Sequence, residues 1–314
     1  MNLDPKTTAF IFPGQGSQKV GMGKELAGAY PEARQVFEEA DATLGIGLST
    51  LAWGGPEAEL NDTVNTQPAL LVHSVAALRV FQTLQPDFTP AYVAGHSLGE
   101  LCAAVAAGAM DYPSALRLVR RRGELMKEAG AQQPGGMAAI LGLDIPAVDG
   151  VCAEASTADE VVQVANDNCP GQVVISGHAG AVARAMEAAK AAGAKRALPL
   201  PVSIAAHSAL MASAQAGFNE AVAAANIVDP LTPLIGNVSA APLADAAALR
   251  ADLQAQLTSR VRWTETIQAL RAAGITTFIE LGTGSVLAGL LKRIDAEAAG
   301  MALGNPEDLE KLAG

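Results

Sequence analysis

Gly95-His96-Ser97-Leu98-Gly99 carries the strongest chemical content in the chain and has the form G-x-S-x-G. A strand that turns abruptly into a helix leaves room only for glycine on either side of such a serine. The hydroxyl then sits at the tip, at the helix N-terminus, where free backbone N–H groups and the positive dipole end stabilise an oxyanion. Tyr92-Val93-Ala94 reads as the strand before the turn and an Ala-rich stretch as the helix after it. The plainer alternative is a tight junction whose serine merely caps the helix.

A serine nucleophile needs a base, usually histidine. His73 falls inside a helical run and reads as packed, whereas His96 adjoins the serine but points away from it at such a turn. His178 opens a helix, where capping is the simple reading, and His207 stands just before a helix near a change of composition. On position alone, His207 faces a cleft or solvent with even weight. Asp144, Asp149, Asp159 and Asp167 fall between Ser97 and His207, all within the small inserted domain, and none reads as ending a strand of the main sheet. A Ser–His dyad oriented by a backbone carbonyl fits better than a triad.

Arg120-Arg121-Arg122 looks like a basic patch until helical phase separates its members. Ala115, Leu118, Val119, Arg122, Leu125, Met126 and Ala129 share one face, and Arg117, Arg121, Glu124 and Glu128 the other. A guanidinium in an apolar stripe is costly unless paired. Either an acid elsewhere in the fold pairs with it, or a ligand carboxylate occupies its bidentate fork.

These residues must be placed by short apolar runs alternating with helical patterns, which indicate an α/β fold with a largely parallel sheet. Ala9–Phe12, Ala91–Ala94 and Thr277–Leu281 read as strands; Pro31–Leu44, Pro68–Leu84, Asp111–Ala129, Ser208–Ala225, Ala246–Leu257 and Val286–Ile294 read as helices. Between Gln132-Gln133-Pro134-Gly135-Gly136 and Pro199-Leu200-Pro201 the order becomes β-α-β-β-α-β, a ferredoxin-like pattern. The expected architecture is a large α/β-hydrolase-like domain (1–130 and 204–314) with a small ferredoxin-like α+β domain inserted (131–203), and a cleft between them.

The 314 residues are 50% hydrophobic and only 4% aromatic, so the core must be built from aliphatic side chains. A net charge of −11 argues against nucleic-acid binding, which needs clustered Lys and Arg. Cys102, Cys152 and Cys169 are too scattered for a disulfide framework or zinc site, Met1–Thr8 has no signal pattern, and no apolar run is long enough to span a membrane. The chain reads as a reduced, cytoplasmic globular protein that acts as a monomer. Gly282-Thr283-Gly284 lacks the third glycine of a dinucleotide fingerprint and reads as strand–helix packing.

Together these residues resemble the malonyl-coenzyme A:acyl carrier protein transacylases of bacterial fatty acid synthesis. The resemblance spans nearly the whole chain. It rests on Phe12-Pro13-Gly14-Gln15-Gly16-Ser17-Gln18, Gly95-His96-Ser97-Leu98-Gly99-Glu100, the Asn168–Gly177 run, His207-Ser208-Ala209-Leu210-Met211, Arg262-Trp263-Thr264 and Glu280-Leu281-Gly282-Thr283-Gly284. It implies Ser97 as the acylated nucleophile, His207 as general base and Arg122 as the clamp on the malonyl carboxylate. It further implies an oxyanion hole from the N–H groups of Gln15 and Leu98, and a Gln256 carbonyl that orients the histidine. The sequence departs from the pattern at Thr258-Ser259-Arg260, and at Ala205-Ala206, where the family commonly has phenylalanine before the histidine; the small residue enlarges the space near the acyl α-carbon.

The implied partners are malonyl-CoA and acyl carrier protein, with no metal or bound cofactor, and with ping-pong kinetics through an acyl-serine. Lys190, Lys195 and Arg196 are candidates for docking an acidic carrier. The rival readings are a serine hydrolase or thioesterase, a silent docking subunit, and a transacylase of a polyketide pathway.

Overall fold

The computed structural model describes residues 3–202, 204–310 and 312. The first two residues of the Met1–Thr8 segment, position 203 at the second expected domain boundary, and residues 311, 313 and 314 lie outside the described residues.

Ten strands are described: β1 (Thr8–Phe12), β2 (Tyr92–Gly95), β3 (Gly135–Leu141), β4 (Val162–Cys169), β5 (Gln172–His178), β6 (Arg196–Pro199), β7 (Leu234–Ile235), β8 (Pro242–Leu243), β9 (Thr277–Leu281) and β10 (Ala299–Leu303). Six form one sheet in the order β10-β9-β1-β2-β7-β8, parallel except for the β7–β8 pair. Every residue of β1 is buried, as expected of a central parallel strand covered on both faces. The other four strands form an antiparallel sheet, β4-β5-β3-β6, and its element order through the helices Ile145–Ala155 and Ala179–Ala191 is the expected β-α-β-β-α-β.

Three strands escape sequence reading. β7 and β8 have two residues each, too few to show a period, and Ala299-Gly300-Met301-Ala302-Leu303 is poor in β-branched and aromatic residues. Pairing with β9 makes the last of these a strand.

The expected Pro68–Leu84 helix in fact starts at Thr63, with Asp62 capping it by accepting from Val64 N at 3.2 Å. Pro68 has no N–H to give the carbonyl four residues back, that of Val64. Arg120 Nη1 takes that carbonyl instead, at 3.2 Å. This extra first turn carries Gln67 into the interior. The Tyr112–Gln132 helix crosses it closely, for a Cβ on Gly123 would lie 2.8 Å from Thr63 O.

The two sheets are joined along β4. Val261 N donates to Ala165 O at 2.8 Å, Asp167 N to Val261 O at 2.9 Å, and Thr264 Oγ1 to Asp167 Oδ1 at 2.6 Å. Cys169 of β4 belongs to the same apolar cluster as Ile11, Trp263 and Phe278 under the six-stranded sheet. No helix among the described residues is long and apolar enough to cross a membrane.

β1, β2 and β9 all deliver loops at their carboxyl ends, the edge where open parallel sheets place ligands. The helix Gly99–Ala106 lies against β1 so tightly that a Cβ on Gly99 would stand 2.2 Å from Phe12 O, a backbone atom that cannot rotate aside. Gly99→Ala is therefore expected to cost about 2–3 kcal/mol by denaturant unfolding, the scale of an overpacked core. Gly28→Ala, in a helix and with nothing within 4 Å, serves as the control and should be neutral or stabilising.

Candidate active site

Ser97 lies at the elbow between β2 and the Gly99–Ala106 helix with φ 53°. Left-handed backbone costs a side-chain-bearing residue roughly 1–2 kcal/mol, so something must hold it. Two features do. A Cβ on Gly95 would fall 1.9 Å from Gly99 C, so the two arms of the elbow touch only because both are glycine. Asn237 brackets the turn, its Oδ1 accepting from Ser97 N and its Nδ2 donating to Gly95 O, each at 2.7 Å.

Ser97 Oγ lies 2.7 Å from His207 Nε2, although 110 residues separate them. His207 Nδ1 lies 2.9 Å from Gln256 O. A carbonyl only accepts, so Nδ1 carries the proton and Nε2 presents a lone pair to the serine hydroxyl. Gln256 ends the helix Ala246–Gln256, where the last carbonyls lack intrahelical partners and the dipole is negative. That carbonyl both fixes the tautomer and favours a transient imidazolium. His207 itself has φ 57°, and Gln163 of β4 bridges its loop to the loop after the helix, donating to His207 O at 3.3 Å and Thr258 O at 3.2 Å.

Arg122 is 2% exposed, on the buried face that helical phase assigns it. Its Nη1 donates to Gln67 Oε1 at 2.6 Å, and its Nη2 to Gln256 Oε1 at 2.7 Å and Ser97 Oγ at 3.1 Å. Among the described residues no carboxylate pairs with it at ion-pair distance. Burial lowers its pKa to about 10, which leaves it charged at neutral pH.

Burial, and then the Arg122 charge, push His207 down to about 3. A histidine so lowered is neutral near pH 7.

Gln15 stands beside the elbow: a Cβ on the preceding Gly14 would be 2.7 Å from His96 O, and Gln15 Oε1 accepts from Thr63 Oγ1 at 3.1 Å. Among the described residues the N–H groups of Gln15 and Leu98 donate to no acceptor within the chain. The structure thus brings Ser97, His207, Arg122 and Gln256 into direct contact, with Gln15 and Leu98 flanking them.

The other histidines go elsewhere. His96 turns from Ser97 to Asn168, its Nε2 2.8 Å from Asn168 Oδ1, and His73 is buried with Nε2 2.8 Å from Gly304 O. His178 occupies the N-cap position but its side chain makes no cap bond there; its Nδ1 instead accepts at 3.0 Å from the N–H of Val161, just ahead of β4. Asp167, one of the four acids considered, bonds Thr264 rather than a histidine.

Sequence reasoning missed Gln67, Asn237, Glu100 and Gln163. Gln67 precedes the proline taken as the helix start. Asn237 lies beyond a two-residue strand, and Glu100 and Gln163 act through contacts that no local spacing encodes. Among the described residues no cluster of three or more His, Cys, Asp or Glu could hold a metal ion.

The lowered pKa of His207 has a direct kinetic consequence. Acylation of Ser97, followed by rapid quench and intact mass between about pH 5 and 8, should show no acid limb near the ordinary histidine value of roughly 6.5. Arg122→Ala removes the second cause and should move the limb upward. A wild-type limb near neutrality would mean that the base is solvated.

A family model described as an acyl transferase domain matches residues 9–302. The malonyl CoA-acyl carrier protein transacylase of Bacillus subtilis is 48% identical over 302 residues, covering 96% of this chain and 95% of that protein. The crystal structure of an acyl carrier protein S-malonyltransferase from Vibrio cholerae superposes with a TM-score of 0.94 at 45% identity, over 98% of this chain and 99% of that one. A malonyl-transacylase solved in complex with a type II PKS acyl-carrier protein also gives 0.94, at 44% identity and 98% coverage of both chains.

Proposed function

The chain belongs to the acyl transferase family, among the malonyl-CoA:acyl carrier protein transacylases, and on that premise we propose how its own residues move a malonyl group from coenzyme A to the phosphopantetheine thiol of acyl carrier protein in fatty acid synthesis. The observation that carries the reading is the convergence on one atom. Ser97 Oγ lies 2.7 Å from the lone pair of a neutral histidine and 3.1 Å from a buried guanidinium.

Malonyl-CoA places its free carboxylate on Arg122, whose Nη2–H turns from Ser97 Oγ to the substrate. A second Nη1–H completes a bidentate contact. His207 takes the Ser97 proton as Oγ attacks the thioester carbonyl, and the oxyanion receives the N–H groups of Gln15 and Leu98. Collapse breaks the carbon–sulfur bond, and the departing coenzyme A sulfur takes the proton from His207. A malonyl ester stays on Ser97. The carrier thiol then gives its proton to His207, attacks the ester, and the Ser97 oxygen leaves with that proton. The two half-reactions make the kinetics ping-pong. Neutralising Arg122 with the substrate carboxylate removes one of the charges that depress His207, so the base strengthens when the correct acyl group arrives.

The insert 131–203 is a ferredoxin-like domain within a hydrolase-like one, 1–130 with 204–314; the strand order β4-β5-β3-β6 supports the first part. The enzyme acts in the cytoplasm as a monomer, since one chain supplies Ser97, His207 and Arg122, and its chemistry calls for no metal or bound cofactor. Lys195 and Arg196, exposed on the edge strand side of the insert, offer charge to an acidic carrier, whereas Lys190 is paired with Glu187 on its own helix. Ala206, just before His207, enlarges the space near the acyl α-carbon, and malonyl remains the preferred acyl group.

The test is the intact mass of the protein after malonyl-CoA, beside acetyl-CoA and Ser97→Ala. A malonyl adduct on wild type alone, stable in buffer and discharged by holo acyl carrier protein, is the expected result. An adduct that water removes quickly would make the protein a hydrolase. Arg122→Ala should cut malonyl acylation about 10- to 100-fold, the scale of a charge-assisted hydrogen bond, and acetyl acylation far less.

A further inference from the structure

Glu100 is 0% exposed and follows the serine elbow by one residue beyond Gly99. It makes no contact with Ser97 Oγ, His207 or Arg122 that would mark it as part of the reacting group. Its carboxyl nevertheless meets the two residues that hold those groups. Oε2 accepts from Gln256 Nε2, and Oε1 accepts from Asn237 N at 3.3 Å.

The Gln256 amide is thereby a relay with a direction. Its Nε2 donates to Glu100 and, at 3.0 Å, to Ser97 O, and its Oε1 accepts from Arg122 Nη2 at 2.7 Å. A flipped amide would set an NH2 against the guanidinium and an oxygen against a carbonyl and a carboxyl, so the neighbours decide the orientation. Of the two acceptors on the Nε2 side, only Glu100 is a side chain that can be exchanged.

We propose that Glu100 is a positioning residue for acyl-group selection: by accepting from Gln256 Nε2 it locks the Gln256 amide with its oxygen toward Arg122, and so aims the guanidinium at the acyl carboxylate. The assignment rests on the malonyl-transfer reading above. Glu100 works as an acceptor here, and that role survives its protonation state. Burial pushes its carboxyl well above the usual range, and neighbouring Asp252 pushes the same way. An acid proton shared toward Asp252 leaves Oε2 free to accept from Gln256. Asp252 is itself held by Val238 N and Ser239 N, both at 3.1 Å.

The role predicts a split that a purely structural one does not. Glu100→Gln keeps an oxygen for Gln256 and an NH2 for Asp252, gives up only the long 3.3 Å acceptor for Asn237 N, and should retain the wild-type preference for malonyl-CoA over acetyl-CoA within about threefold. Glu100→Leu fills the space without an acceptor and should lower that preference at least about tenfold, about one pKa unit's worth of interaction, mainly through KM for malonyl-CoA. Both are measured as Ser97 acylation rates on the full chain, with melting temperature recorded alongside. Should the leucine variant not fold, Glu100→Asp, which withdraws the acid from Gln256 by one methylene, is expected to lose the preference as well.

Parallel loss of malonyl and acetyl acylation in the leucine or aspartate variant would overturn the proposal, as would an unchanged preference in both. If wild type itself forms no malonyl ester on Ser97, the transferase reading fails instead, and the two failures are told apart by that control.

Discussion

A full positive charge is buried 3.1 Å from the Ser97 hydroxyl in this protein, and among the described residues no carboxylate pairs with it at ion-pair distance. An unpaired guanidinium away from water is expensive. Arg122 is tolerated because the amide oxygens of Gln67 and Gln256 face its two terminal nitrogens. Neutral partners accept from the two terminal nitrogens without cancelling the charge, while the buried Nε has no partner among the described residues. The cation is therefore positioned but still electrostatically open, the state a site needs if it is to select an anionic acyl group. A direct salt bridge would have stabilised the empty protein and closed the site.

That uncancelled charge shapes everything around it. It adds to burial in lowering the pKa of His207. It draws the Gln256 oxygen inward, which turns the amide N–H groups outward to Ser97 O and Glu100. The backbone carbonyl of the same residue then orients the imidazole. One glutamine thus reports to the cation through its side chain and to the base through its main chain. A change at this position would disturb both selection and chemistry.

Holding these groups within hydrogen-bond range of one hydroxyl takes rigid scaffolding. The sheet supplies the nucleophile from the end of β2 and the Gln15 loop from the end of β1. The long helices supply Gln67 and Arg122 at a crossing made close by Gly123. β4 of the smaller sheet reaches across to brace the histidine loop through Gln163 and to hold His96 away through Asn168. Both Ser97 and His207 have left-handed backbones, and each is supported by side chains from distant segments. Strain at the two reacting residues is paid for by contacts from other elements.

Much of this is legible in the amino-acid sequence. The elbow glycines declare themselves because only glycine lets two backbone arms meet, and Arg122 does because a charge breaks an otherwise apolar period of 3.6. The strands of the central sheet and the β-α-β-β-α-β order are local patterns of burial, which the chain records residue by residue. What only the tertiary structure decided is partnership. His207 reads equally as facing solvent or a cleft until it is seen 3% exposed, with Nε2 2.7 Å from Ser97 Oγ. Gln67 hides ahead of a proline whose lost hydrogen bond to Val64 O is made good by Arg120, 56 residues along the chain from Val64. Asn237, Gln163 and Glu100 carry no periodicity at all, because a hydrogen bond between segments depends on the direction of one side chain in space, and a sequence encodes that only through the fold.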